Sequence, residues 1–114
     1  MSCFQYFKSY RYARKVIEFL LRVSKNVILI YDIKDFNKKK DYRDSVRLRQ
    51  NLTKREFFKK YKNFPLRYYK RSFFSDILSK NKHKKTFKYY FLSLPNSATD
   101  NKYGYCLIIL RKKI

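Results

Sequence analysis

The feature that most constrains this chain is its charge. Thirty Lys and Arg residues against 8 acidic ones give a formal net charge of +22 over 114 residues. Self-repulsion of this size opposes a compact fold unless a polyanion supplies the missing negative charge. Yet the chain is 45% hydrophobic and 20% aromatic, far above charge-rich disordered segments. These features indicate one small, basic domain whose partner is RNA, DNA or an anionic membrane surface.

Several classes of protein are disfavoured by the same sequence. The longest apolar stretch, residues 16–31, is interrupted by charged side chains, so we expect no membrane span. Cys3 and Cys106 stand alone, and His83 is the single histidine, which excludes a zinc site within the chain and favours two reduced thiols over a disulfide. His83 lies in a lysine run without a nearby carboxylate. We therefore expect no enzyme, no metal, no cofactor and no small-molecule substrate.

The residue usage indicates the setting. Lys, Tyr, Phe, Ile and Asn make up 58 of the 114 residues, and these residues have codons rich in A and T. Such coding favours an AT-rich genome, as in an organelle. Residues 1–17 contain several bases and no acid, which also suits a mitochondrial import peptide. We expect a protein of the mitochondrial matrix that is either made inside the organelle or imported with this segment uncleaved.

The N-terminal third predicts one helix and one apolar segment. Residues 9–25 have Ser9 as a plausible N-cap and apolar side chains at three- and four-residue steps. Residues 26–33 are β-branched and apolar, which favours a strand over a second helix. We treat residues 1–40 as an N-terminal extension and residues 41–114 as a basic RNA-binding region.

The clearest local signal is the capping box of Thr53 and Glu56, which predicts a helix from Lys54 to about Asn63, before Pro65. The other expectations are a helix that starts at Asp41 or Asp44, a helix over 66–78, a loop over 80–85, either a helix or a strand over 87–94, and a strand over 105–110. The expected fold class is mainly α. Short helices are joined by extended segments, with little independent core, and the chain is ordered by its complex.

The density of basic residues is highest between Lys38 and Lys88. This stretch contains 19 Lys and Arg residues and four acidic residues, with aromatic residues interleaved among them. Basic side chains neutralise phosphates, and aromatic faces either stack on unpaired bases or pack internally. The alternative is a solvated helix surface over an aromatic core. Arginine is the more telling residue, because AT-rich coding favours lysine and the planar guanidinium suits phosphate oxygens. The RNA-binding candidates are Arg43, Arg47, Arg49, Arg55, Lys59, Lys60, Arg67, Lys70, Arg71, Lys84 and Lys85.

Two stretches resemble a known family over about residues 43–108. One is Leu94-Pro95-Asn96-Ser97, followed nine residues later by Cys106, and the other is Arg43-Asp44 with Arg47 and the basic run after it. These are similar to the fourteenth small-subunit ribosomal protein in its zinc-free organellar form. The chain lacks the family's Arg between Pro95 and Asn96 and its Thr-Gly-Arg after the cysteine, and residues 1–40 have no counterpart.

The resemblance implies a structural role in the head of the small ribosomal subunit. Its implied partners are ribosomal RNA and neighbouring small-subunit proteins, and it adds Asn96 and Ser97 to the RNA-facing candidates. The function expected is thus a structural constituent of the small subunit of a mitochondrial ribosome. The main alternative is a basic accessory subunit of an organellar membrane-associated respiratory complex, which the aromatic content and residues 9–31 also suit. A free DNA- or RNA-binding regulator is a third, weaker interpretation.

Overall fold

A computed structural model describes residues 3–63, 66–93 and 103–112. Within these ranges four α-helices accompany a three-stranded antiparallel sheet. The elements in chain order are α1 (Tyr10–Val23), β1 (Val27–Lys34), α2 (Lys39–Arg49), α3 (Lys54–Tyr61), α4 (Arg71–Lys80), β2 (Phe87–Ser93) and β3 (Gly104–Arg111). The chain is therefore mixed α/β, and the expectation of a mainly α fold was wrong.

Two helices begin where their caps predict. The Ser9 hydroxyl accepts a hydrogen bond from the Tyr12 amide at 3.0 Å, which starts α1. The Thr53 hydroxyl accepts from the Glu56 amide at 3.2 Å, and the Glu56 carboxylate accepts from the Thr53 amide at 3.1 Å. This capping box starts α3 at Lys54. Both predicted starts are confirmed, and α3 ends at Tyr61, slightly earlier than expected.

The helix predicted over 66–78 begins only at Arg71. The segment before it is extended and pairs with the end of β1. The Tyr69 amide donates to the Lys34 carbonyl at 2.8 Å, and the Phe36 amide donates to the Tyr69 carbonyl at 3.2 Å. These backbone groups are satisfied across the fold rather than within a helix, so the helical pattern of 66–70 is overridden.

The sheet has the order β1-β3-β2, with β3 in the centre and antiparallel to both neighbours. Ile30 pairs with Leu107, and a bulge follows before Ile33. Within this bulge Asp32 has a φ of 55°. The strands predicted over 26–33 and 105–110 are confirmed. Of residues 87–94, for which a helix or a strand was open, Phe87–Ser93 form a strand, and residue 94 lies outside the described residues. The expected N-terminal extension, residues 1–40, and the expected RNA-binding region, residues 41–114, thus both contribute strands to one sheet.

One face of the sheet carries the core. Side chains from α1, α4 and all three strands join Phe4 of the N-terminal segment in one cluster, so the expectation of little core was also wrong. Burial of this apolar surface is the main favourable term in folding. The described members of the cluster are Phe4, Ala13, Ile17, Leu21, Ile28, Ile30, Ile33, Tyr69, Phe74, Ile77, Leu78, Phe87, Tyr105, Leu107 and Ile109.

The opposite face of the sheet is apolar as well, and it is exposed. In β1 the exposed Val27 and Leu29 alternate with the buried Ile28 and Ile30. The same exposed face includes Tyr31, Tyr90, Leu92 and Leu110. Since both faces are apolar, each strand appears in the sequence as a continuous apolar run. Periodicity alone does not separate such a run from a buried helix, which explains why the third strand, Phe87–Ser93, was left open between a helix and a strand.

Candidate nucleic-acid interface

A tight helical hairpin of α2 and α3 organises the most basic part of the chain. At its turn Asn51 has a φ of 55°, a left-handed conformation that Asn tolerates. The Asn51 amide donates to the Leu48 carbonyl at 3.0 Å, and the Leu52 amide donates to the Arg47 carbonyl at 3.1 Å. This pair of bonds is the Schellman motif, which ends α2 and turns the chain directly into the capping box of α3.

Side chains fix the two helices of the hairpin against each other. The Gln50 side-chain amide donates to the Tyr61 hydroxyl at 2.7 Å, and Lys60 Nζ donates to Gln50 Oε1 at 2.9 Å. These hydrogen bonds join the end of α2 to the last turn of α3.

A cleft opens between α2, α3 and the turn before α2. Phe58 is 63% exposed and Phe36 is 41% exposed, so the cleft presents two aromatic faces to solvent. The Arg43 guanidinium lies 5.4 Å from the centroid of the Phe57 ring, and both side chains line the cleft. We call this feature the basic cleft. It is defined by Phe36, Lys39, Lys40, Arg43, Lys54 and Phe58.

The charge around the basic cleft is largely uncompensated. Residues 38–62 contain eleven Lys and Arg residues and three acidic ones. Asp44 lies 3.9 Å from the Arg47 guanidinium, and Glu56 is engaged in its capping box. The hydrogen bonds from the Thr53 amide and hydroxyl lower the pKa of the Glu56 carboxyl, so this group stays ionised at neutral pH. The positive potential of the cleft is therefore directed at an external anion.

Tyr68 forms a neutral inner wall beside the cleft. Burial, followed by the proximity of Tyr42, raises the pKa of Tyr68 to about 12, so its hydroxyl is protonated at any physiological pH. Lys39 Nζ lies 5.5 Å from the centroid of the Tyr68 ring. The ring supports the lysine without neutralising its charge.

The candidate residues from the sequence divide into groups. Those accessible at the surface of the hairpin are Arg43, Arg49, Arg55, Lys59 and Lys60. Lys70 is exposed over the Phe36 ring, with its Nζ 5.0 Å from the centroid. Lys84 and Lys85 are exposed just before β2. Asn96 and Ser97 lie outside the described residues.

Two of the candidate arginines are bound to backbone carbonyls of the protein itself. Arg47 donates to the Leu52 carbonyl at 3.1 Å, and its side chain is only 18% exposed. Arg67 donates through Nε to the Phe7 carbonyl at 3.1 Å and through a terminal nitrogen to the Lys8 carbonyl at 2.6 Å. These guanidinium groups hold the hairpin turn and the N-terminal segment, respectively.

Arg71 is also used internally. Its guanidinium lies 3.7 Å from the buried Asp35 carboxylate and 4.6 Å from the centroid of the Tyr105 ring. The Asp35 carboxylate in turn accepts from the Asn37 amide at 3.0 Å. Arg71 thus compensates a buried charge at the end of β1.

Sequence reasoning missed several members of the basic cleft. Lys39, Lys40 and Lys54 were not singled out, although they lie inside the basic stretch and beside the helix starts. Phe58 could have been separated from Phe57 by the period of α3, because Phe57 is buried and its neighbour points away.

Among residues 3–63, 66–93 and 103–112, no three His, Cys, Asp or Glu side chains lie close enough together to hold a metal ion. Cys3 and Cys106 are free thiols. None of the helices in these ranges is long and apolar enough to cross a membrane. Comparison with protein families, curated proteins and solved structures finds no match to this chain.

Proposed function

We propose that the protein binds RNA through the basic cleft, as a structural constituent of the small subunit of a mitochondrial ribosome. The observation that carries the RNA-binding proposal is the pairing of exposed aromatic faces with cations. Phe36 and Phe58 can stack on unpaired bases, and Lys40 and Lys54 lie where they can reach the flanking phosphates. Stacking tolerates any base, so the cleft suits single-stranded or looped RNA of mixed sequence.

The ribosomal part of the proposal has separate support. It rests on the net charge of +22, on the AT-rich residue usage and on the resemblance of residues 43–108 to a small-subunit protein. A ribosomal protein of this kind stays with its particle in moderate salt, because many phosphate contacts act together. Co-sedimentation with small ribosomal subunits from a mitochondrial extract tests this part, and sedimentation with membranes instead would favour the respiratory alternative.

The cleft itself is tested by the salt dependence of RNA affinity. We expect Lys40→Gln together with Lys54→Gln to weaken binding of a single-stranded RNA and to flatten the slope of log affinity against log salt. Two lost phosphate contacts correspond to a change of about 1.4 in that slope. The matched control is Lys8→Gln with Lys88→Gln, which removes the same charge from exposed positions outside the cleft. An equal effect of both pairs would contradict the assignment of the cleft.

The stacking role is tested by Phe58→Ala, which we expect to cost about 1–3 kcal/mol of binding free energy with an unchanged salt slope. The control is Leu48→Ala, which removes an exposed apolar side chain from the same hairpin.

A vesicle of anionic phospholipid serves as the second probe. If the lysine pair lowers vesicle binding and leaves RNA binding unchanged, the proposal is wrong.

A further inference from the structure

A second basic surface lies on the other side of the molecule, in a groove between α1 and the end of α4. Phe19 on its floor is 51% exposed, and the Arg22 guanidinium lies 5.4 Å from the centroid of its ring. We call this feature the α1–α4 groove. Its polar lining is Arg14, Lys15, Glu18, Arg22, Lys80, Asn81, Lys82 and His83.

The groove carries a strong positive charge. Its lining has five Lys and Arg residues and one acidic residue. That residue, Glu18, accepts a hydrogen bond from Arg14 Nε at 3.1 Å, and both side chains are exposed. The side chains of Lys15 and Lys82 are exposed, and they make no hydrogen bond or ion pair with any described residue. At least three lysines and Arg22 are thus available to an anion that enters the groove.

The topology separates the groove from the basic cleft. The cleft lies beyond the end of β1, since a short turn over Phe36–Lys38 leads from Lys34 into α2. The groove lies at the other end of the sheet, because the segment after α4 leads into Phe87, which pairs with Arg111 beside the start of β1. An eight-residue strand separates the two ends by about 25 Å. One short RNA strand in the cleft therefore does not fill the groove.

We infer that the α1–α4 groove binds the phosphate backbone of a second RNA segment, so that the chain joins two segments. This inference rests on the proposed function. A concave surface with lysines on both walls fits a phosphate chain that runs between them. A flat layer of lipid head groups favours a convex amphipathic surface instead. The exposed Lys84 and Lys85, which follow the groove in the chain, extend its positive charge toward β2.

The test is the number of RNA molecules bound by one chain. The probe is a single-stranded oligouridylate of about four nucleotides, which at about 3.4 Å per stacked nucleotide is too short to reach both sites. Native mass spectrometry and sedimentation in about 0.15 M salt give the stoichiometry. Energy transfer between donor- and acceptor-labelled RNA reports whether one protein holds both. The variants are Lys15→Gln with Lys82→Gln in the groove, Lys40→Gln with Lys54→Gln in the cleft, and Lys8→Gln with Lys88→Gln as the control.

We expect the wild-type chain and the control pair to bind two RNA molecules, and each site pair to bind one, with loss of energy transfer. If the wild-type chain binds one RNA molecule and only the cleft pair abolishes that binding, the groove is not an RNA-binding site. The proposed function then stands. If the wild-type chain binds one RNA molecule and only the groove pair abolishes that binding, both the joining of two segments and the role of the cleft are wrong. Absence of RNA binding overturns both.

Discussion

Substitution of Arg67 distinguishes most clearly between a structural role of an arginine side chain and a role in RNA binding. Its guanidinium donates to the carbonyls of Phe7 and Lys8 and lies 5.2 Å from the centroid of the Tyr10 ring. Arg67→Met keeps most of the stem and removes the guanidinium. A hydrogen bond from a charged donor contributes about 1.5 kcal/mol at a partly exposed site, and the ring contact contributes about 0.5 kcal/mol. We therefore expect unfolding free energy to fall by about 3.5 kcal/mol, and Tm by about 15 °C.

The assay is thermal unfolding of RNA-free protein in about 0.15 M salt, followed by circular dichroism. The continuous core predicts one cooperative transition. Arg55→Met is the control, because Arg55 is exposed on α3 and its loss is expected to change stability by less than about 0.5 kcal/mol. A Tm change below about 2 °C for Arg67→Met, with a loss of RNA affinity greater than that of the control, would refute the structural role.

Two further predictions concern single positions. Asn51→Ala should destabilise the chain by about 1 kcal/mol in denaturant unfolding, because alanine lacks the short polar side chain through which Asn tolerates a φ of 55°. Asn51→Gly should be neutral, because glycine has no Cβ to clash at this φ; equal effects would contradict the turn geometry. Burial raises the pKa of Tyr68 from 10.0 to about 12, so its contribution to stability is complete below pH 10 and is lost as the pH rises toward 12. Unfolding measured across this interval should depend less on pH in Tyr68→Phe, and an unchanged dependence would refute this.

The parts of the fold that were predicted from sequence depend on local contacts. Ser9 caps α1 through an amide three residues later, and Thr53 and Glu56 cap α3 across the same distance. Such hydrogen bonds require only neighbours in the chain, so a sequence pattern specifies them. The edges of β1 and β3 were also nearly correct, because β-branched runs bounded by polar residues indicate strands.

The parts that were missed depend on distant partners. Arg47, Arg67 and Arg71 belong to the same basic stretch as Arg43, and nothing in their spacing distinguishes them. Arg67 and Arg71 bind acceptors that are distant in the chain, at Phe7 and Asp35. The acceptor of Arg47, the Leu52 carbonyl, is five residues away, but only the turn between α2 and α3 brings it within reach. The start of α4 was missed for the same reason, since Tyr69 pairs with the end of β1.

The position of β3 in the middle of the sheet has a consequence for the order in which the molecule assembles during synthesis. β1 is made early, but its hydrogen-bonding partner is the last strand of the described chain. Closing this long loop is slow compared with forming neighbouring contacts. The hydrogen bonds of the turn between α2 and α3 and the capping box of α3 are local, and all of their residues are synthesised before β3. The segment that forms the basic cleft is therefore synthesised before the strand that completes the sheet.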